Sequence, residues 1–115
     1  MQPLLIHLED DKLFTEFAPV VEPVSETVSN TRTALHQRIE QENVSVGVWE
    51  CTPGDWRRQV LQAEYSYFIS GTGAFIPDVG EPVNFKAGDA IYFAPNTQGT
   101  WSIKETVRKH YIIIE

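Results

Sequence analysis

The sequence predicts an all-β domain, a sandwich or barrel of short strands, and three observations carry that reading. From Arg32 onward, segments rich in Val, Ile, Tyr, Phe and Thr alternate with turn clusters at the spacing of a β-sandwich or barrel. No window of helical length shows apolar residues at i, i+3, i+4 and i+7 except a weak "ALHQRIEQ" at 34–41; that window also alternates Leu35, Gln37 and Ile39 against polar neighbours and reads as strand. The length of 115 residues suits one domain that buries one core without staples.

Taken in order, residues 1–31 form an arm belonging to the same domain. It holds a short apolar run at 4–8, an acidic patch, and "APVVEPVSETVSN", whose Pro19 and Pro23 suit one or two edge strands. Residues 32–115 form the barrel, with strands expected near 33–40, 45–51, 57–60, 64–70, 73–76, 90–94, 99–104 and 107–114. "ENVS" at 42–45 turns a hairpin, and "PGD" at 53–55 joins a proline-fixed φ to a glycine free to take a positive one. Further turns are expected at Gly71–Gly73, Pro77–Gly80 and Ala87–Asp89. In the tail, Tyr111 to Ile114 are apolar at four successive positions, so both faces of the last strand need cover. One face meets the core and the other is expected to meet the second sheet's edge or a partner chain, and a homodimer is expected, with the arm lying across the partner.

Charge narrows the partners. Sixteen acidic residues against nine basic ones give a net charge of −7 and no basic stripe, which argues against nucleic acid and anionic membrane. A lone Cys51 permits no internal disulfide and fits a reducing compartment, so the expected location is the cytoplasm. The opening "MQPLLIHLEDDKLF" lacks a cationic region and an unbroken apolar stretch, so no export signal is expected, and no segment has the apolar length of a membrane span.

The middle of the chain carries motifs: "GVWECTPGDW" at 47–56, "EYSYFISGTG" at 64–73, "FKAGDAIYFAPN" at 85–96, "GTW" at 99–101 and "ETVRKHYIII" at 105–114. Over residues 45–114 they resemble a small single-domain cupin of the third cupin group, which includes ethanolamine-utilisation and ureidoglycine-aminohydrolase-like members. The resemblance implies a double-stranded β-helix, a jelly roll of two antiparallel sheets forming an open barrel. It also suggests nitrogenous substrates.

Metal-binding cupins carry Gly-x5-His-x-His-x(3–4)-Glu-x6-Gly and then Gly-x5-Pro-x-Gly-x2-His-x3-Asn. Here Glu64 and Gly71 keep the Glu-x6-Gly spacing, while "RRQV" at 57–60 stands where the two histidines belong. Counted from Gly88, the second motif places Ala94 at the proline, Asn96 at the glycine and Gly99 at the third histidine. One ligand of four remains, and a single carboxylate is not a metal site, so neither metal nor other cofactor is expected. Asn96 can hold the left-handed turn that a glycine would. His7, His36 and His110 fall at no motif position and read as surface or satisfied polar histidines.

If Glu64 faces the lumen as its metal-binding counterparts do, alternation brings Ser66 and Phe68 inside with it and turns Tyr65, Tyr67 and Ile69 outward. A buried carboxylate needs a cation, and Arg57, Arg58 and Lys109 are the candidates. Glu50 either shares the lumen as a second acid or lies exposed on its strand. Trp49, Trp56 and Trp101 either fill the core and dimer contact or line an aromatic pocket, and Phe68, Tyr92 and Trp101 are candidates to close it.

Two functions follow. One is a metal-independent isomerase, dehydratase or hydrolase of a small polar metabolite, with Glu64 as catalytic proton shuttle and Glu50, Arg58, Ser66, Phe68, Tyr92, Trp101 and Lys109 around the ligand. The other is a non-catalytic ligand-binding or assembly module built on the same pocket.

Overall fold

The computed structural model describes residues 2–115, and among them the chain forms eight strands and two single-turn 3-10 segments. The "ENVS" turn joins β2 (Asn30–Ile39) to β3 (Val44–Cys51) through one 3-10 turn at Glu40–Glu42 and Asn43 in the left-handed region at φ 55°. β4 (Gly54–Val60) follows the Pro-Gly turn, where Gly54 takes φ 146°. Next come β5 (Ala63–Pro77), β6 (Val83–Lys86), β7 (Ala90–Phe93) and β8 (Thr97–Ile114). Between β7 and β8, Asn96 adopts φ 61°. In the arm, β1 (Ala18–Pro19) pairs with β2, and isolated bridges join Phe14 to Ala34 and Pro23 to Trp56.

The segments expected as separate strands at 64–70 and 73–76 are one strand, and so are those at 99–104 and 107–114. The Gly71–Gly73 stretch does not reverse the chain. Against β8 the register of β5 slips between Phe68 and Ser70, between Ser70 and Thr72, and between Thr72 and Gly73. Gly71 sits in this irregularity at φ 91°, with the Thr106 carbonyl where a Cβ would be, 2.3 Å away. The chain therefore bends without turning back, as extra residues in one strand make it do. β6, a four-residue strand beginning three residues after the Pro77–Gly80 turn, had no strong β-forming run to announce it.

The bend explains the architecture. The first half of β5 and the last half of β8 lie beside β7 and β3, continuing to β2 and β1. Their other halves lie between β6 and β4. The two antiparallel layers of the jelly roll are thus one hydrogen-bonded sheet folded over at the bulges.

Between the layers sits an aromatic core. Trp101 is 2% exposed and meets Phe75, Phe93, Phe85 and Phe68 edge-on at centroid distances of 5.0 to 6.4 Å. Phe68 is fully buried and stacks on Phe85 at 3.9 Å. Cys51 is also fully buried, and burial pushes its thiol up to about 11. The thiol donates to the Thr52 carbonyl at 3.3 Å, while the Ser29 hydroxyl and the Trp56 indole N–H are buried without a hydrogen-bond partner.

The opposite face of the β2–β3–β8 layer is closed by the arm. Glu50, 7% exposed, accepts from Arg32 Nε at 2.9 Å and Arg108 Nε at 2.8 Å. Phe14 covers both guanidiniums at 4.4 and 4.8 Å, Phe17 covers Arg32 at 4.5 Å, and Asp11 pairs with Arg108. Glu50 therefore neither shares the lumen nor lies exposed. Its neighbours Trp49 and Lys109, paired in register, take the inward positions, and Glu50 and Arg108 take the outward ones. The C-terminal tail keeps one open side: Ile112 is half-buried and Ile114 is 44% exposed. No helix among the described residues is long and apolar enough to cross a membrane.

Candidate functional site

A cavity of about 410 Å³ opens at one end of the barrel. Its floor is set by strand alternation. Glu64 and Ser66 point inward from β5, and Trp101, Lys109, Tyr111 and Ile113 do so from β8. β4 contributes Trp56, Arg58 and Val60, and β3 contributes Trp49. On the remaining side, the arm residues Pro19 to Val21 form an apolar lip, 94% exposed at Val21.

Lys109 and Glu64 form a buried ion pair in that floor. Lys109 Nζ donates to Glu64 Oε2 at 2.8 Å, and the Ser66 hydroxyl donates to the same oxygen at 2.9 Å. The ammonium also lies 4.7 Å from the Trp49 ring centre, 5.1 Å from Trp101 and 5.8 Å from Phe93, so aromatic faces replace part of its lost hydration. Burial pushes the Glu64 carboxyl upward. Lys109, Ser66 and the Arg58 charge together outweigh it and hold the group below its ordinary value. Burial depresses Lys109, opposed by Glu64.

Beside this pair stands a second. The Tyr111 hydroxyl and His36 Nδ1 are 2.6 Å apart. Burial, and then the negative charge of Glu64, push the Tyr111 phenol up to about 12. A phenol that keeps its proton can donate to Nδ1 or accept from Nδ1–H, and the tautomer of His36 sets which. Two local features build this contact. In β2 a register slip between Ala34 and Gln37, with Leu35 at φ 55°, turns His36 toward the cavity. In β3, Gly47 lies opposite Tyr111, and a Cβ there would come within 2.3 Å of the Tyr111 oxygen. Only glycine lets the ring lie across the strand.

The structure thus gathers Glu64, Arg58, Trp101 and Lys109 around the cavity, with Ser66 bonded to Glu64 just beneath. Trp49 and Trp56 join them as walls. Phe68 belongs to the core. Tyr92 is 62% exposed and pairs in register with Tyr65 on the outer face, because its neighbours Ile91 and Phe93 take the inward positions. Arg57 also points outward, clamped on Asp78 by two bonds of 2.7 Å, so it is not a partner of Glu64. Sequence reasoning left out His36 and Tyr111. Tyr111 shares its inward parity with Lys109, a signal present in the chain; the bulge that turns His36 left none.

The residues do not fit the metal that such barrels hold elsewhere. Among the described residues, no three His, Cys, Asp or Glu side chains gather into a metal-holding group. Glu64, the one ligand position kept, is engaged by the Lys109 ammonium. At Gly99, where a ligand histidine would stand, a Cβ would lie 2.5 Å from the Ile76 carbonyl and 2.7 Å from the Phe75 ring. The backbone packing has closed that position.

A family model described as the EutQ-like cupin domain matches residues 39–111. Among solved structures, the EutQ protein of Clostridium difficile is similar at 21% identity and a TM-score of 0.65, over 81% of this chain and 75% of that one. A protein of unknown function of the DUF861 family from Pseudomonas syringae pv. tomato is similar at 20% identity and a TM-score of 0.71; 86% of this chain covers 44% of that one, so the chain spans less than half its length. The ectoine synthase from P. lautus is similar at 14% identity and a TM-score of 0.64, over 97% of this chain and 78% of that one. No curated protein matches the sequence.

Proposed function

The chain belongs to the EutQ-like cupin domain family, and on that premise we propose that its barrel is a metal-independent site for one small polar metabolite, on which it acts as an isomerase, dehydratase or hydrolase by moving a proton. Two proton-bearing pairs facing one open cavity carry this reading. A structural ion pair needs no second titratable pair beside it, and no opening onto solvent. Here Lys109–Glu64 and Tyr111–His36 share one cavity.

The roles follow from the chemistry of each group. The Tyr111 phenol is protonated at neutral pH and can give its proton to a developing oxyanion when His36 carries its ring proton on Nδ1 and donates it to the phenol oxygen; His36 then passes that proton to Tyr111 and takes up another from solvent at Nε2. Glu64 is ionised and can take a proton, and Lys109 beside it stabilises negative charge on the reacting group. The ring faces of Trp49 and Trp101 beside the ammonium lower the local polarity around the pair. Fold likeness below 25% identity adds nothing about the substrate.

The test is ligand-observed NMR in D2O against a panel of small polar metabolites. At least one compound is expected both to bind and to exchange a proton with solvent or turn over, and Tyr111→Phe is expected to slow that step by about 100-fold or more. Ligands that bind without exchange or turnover would support the alternative, a non-catalytic binding module. Turnover unaffected by Tyr111→Phe would remove the proton role from this residue.

A further inference from the structure

Five arginines occur in this chain, and four of them hold a carboxylate. Arg32 and Arg108 grip Glu50, Arg38 grips Glu115, and Arg57 grips Asp78. Arg58 forms no ion pair and no side-chain hydrogen bond among the described residues. It is also the arginine that lines the cavity. The chain carries sixteen acidic residues, so carboxylates are plentiful, and a guanidinium left without one at a cavity mouth is a free recognition group.

The charge balance of the cavity points the same way. Lys109 and Glu64 neutralise one another, which leaves Arg58 as the net charge, and that charge reaches both members of the pair. The same cavity has apolar wall from Trp49, Val60, Ile113 and the Val20–Val21 lip, beside the neutral hydroxyls of Thr31 and Thr33. A planar fork of N–H donors matches one carboxylate with two parallel bonds. A phosphate dianion calls for more cations than this mouth offers. The volume of about 410 Å³ lies toward the small end of ligand cavities.

We infer that the cavity takes a small monocarboxylic acid, its carboxylate held in two-pronged fashion by Arg58 at the mouth, its body against Trp49 and Val60, and its reacting end toward Tyr111 and the Lys109–Glu64 pair. This rests on the cavity being the ligand site proposed above, and it adds which end of the ligand is recognised and by what.

Calorimetric titration with four probes of one shape tests it: benzoate, benzamide, benzylammonium and phenyl phosphate. Wild-type protein is expected to bind benzoate at least tenfold more tightly than the other three. In Arg58→Gln, benzoate binding is expected to fall about tenfold or more, to the level of benzamide, with benzamide itself unchanged. Arg58→Lys should recover part of the loss, because the charge returns without the fork. Arg58 is exposed, so an unchanged melting temperature is expected and separates recognition from folding. Benzamide or benzylammonium binding as tightly as benzoate, or benzoate binding unchanged in Arg58→Gln, overturns the inference. Phenyl phosphate binding most tightly overturns it in favour of a phosphate ligand. In each of those outcomes, weakening by Trp49→Ala shows that the cavity reading survives. Failure of all four probes to bind counts against both.

Discussion

At the scale of single residues, the Lys109–Glu64 pair decides most. Glu64 was legible from the Glu-x6-Gly spacing, and the inward turn of Ser66 from strand alternation; its cation was legible only as one of Arg57, Arg58 and Lys109. The choice among the three depends on parity. Arg57 and Arg58 are adjacent and so face opposite sides, and nothing local says which one faces in. Removing the Glu64 charge leaves a buried ammonium with only ring faces and a neutral amide, so Glu64→Gln is expected to destabilise the protein by about 3 kcal/mol near pH 7. The double variant Glu64→Gln with Lys109→Met should recover much of that loss, since apolar replacement of a whole buried pair is often neutral. The sign with pH follows from the depressed carboxyl. Its contribution is fully present above the ordinary value of 4.5 and is lost as pH falls through the lower folded value. Denaturant melts of wild type and Glu64→Gln across that window should converge in acid. A Gln variant more stable than wild type at pH 7 would show that the carboxylate is held under strain.

At the scale of elements, the strands were legible and their continuity was not. Val, Ile, Tyr and Phe runs marked where β3, β7, the first half of β5 and the last half of β8 lie, while β2 showed as the alternation of Leu35, Gln37 and Ile39. The glycines at 71 and 73, however, read as a turn, and a positive φ serves a bulge as well as a turn. Only the pairing of β5 along the whole of β8 shows which it is. The same irregularity in β2 turns His36 inward, and so the second proton-bearing pair escaped a reading based on strict alternation. Since Gly71 combines φ 91° with a carbonyl 2.3 Å from its missing Cβ, Gly71→Ala forces backbone apart where the sheet folds over. A loss of roughly 2–4 kcal/mol in denaturant unfolding is expected. A loss under about 1 kcal/mol, the ordinary effect of a surface glycine, would mean that the bend does not depend on this residue.

For the whole molecule, the fold followed from pattern and motif together, while the chemistry turned on what the barrel lacks. The lumen of a metal-binding relative gathers histidines around a carboxylate. In this chain Lys109 brings its ammonium to that carboxylate, Gly99 is packed against Ile76 and Phe75, and the arm closes one side of the mouth. The central claim is that an internal cation holds the place a metal would take. Elemental analysis of the purified protein after exposure to zinc, iron, manganese and nickel, followed by dialysis, tests it most directly. The account predicts metal far below one per chain and no rise in melting temperature from any of the four, since an ion that bound the native state would stabilise it by mass action. One tightly held ion per chain, lost in Glu64→Gln, would contradict it.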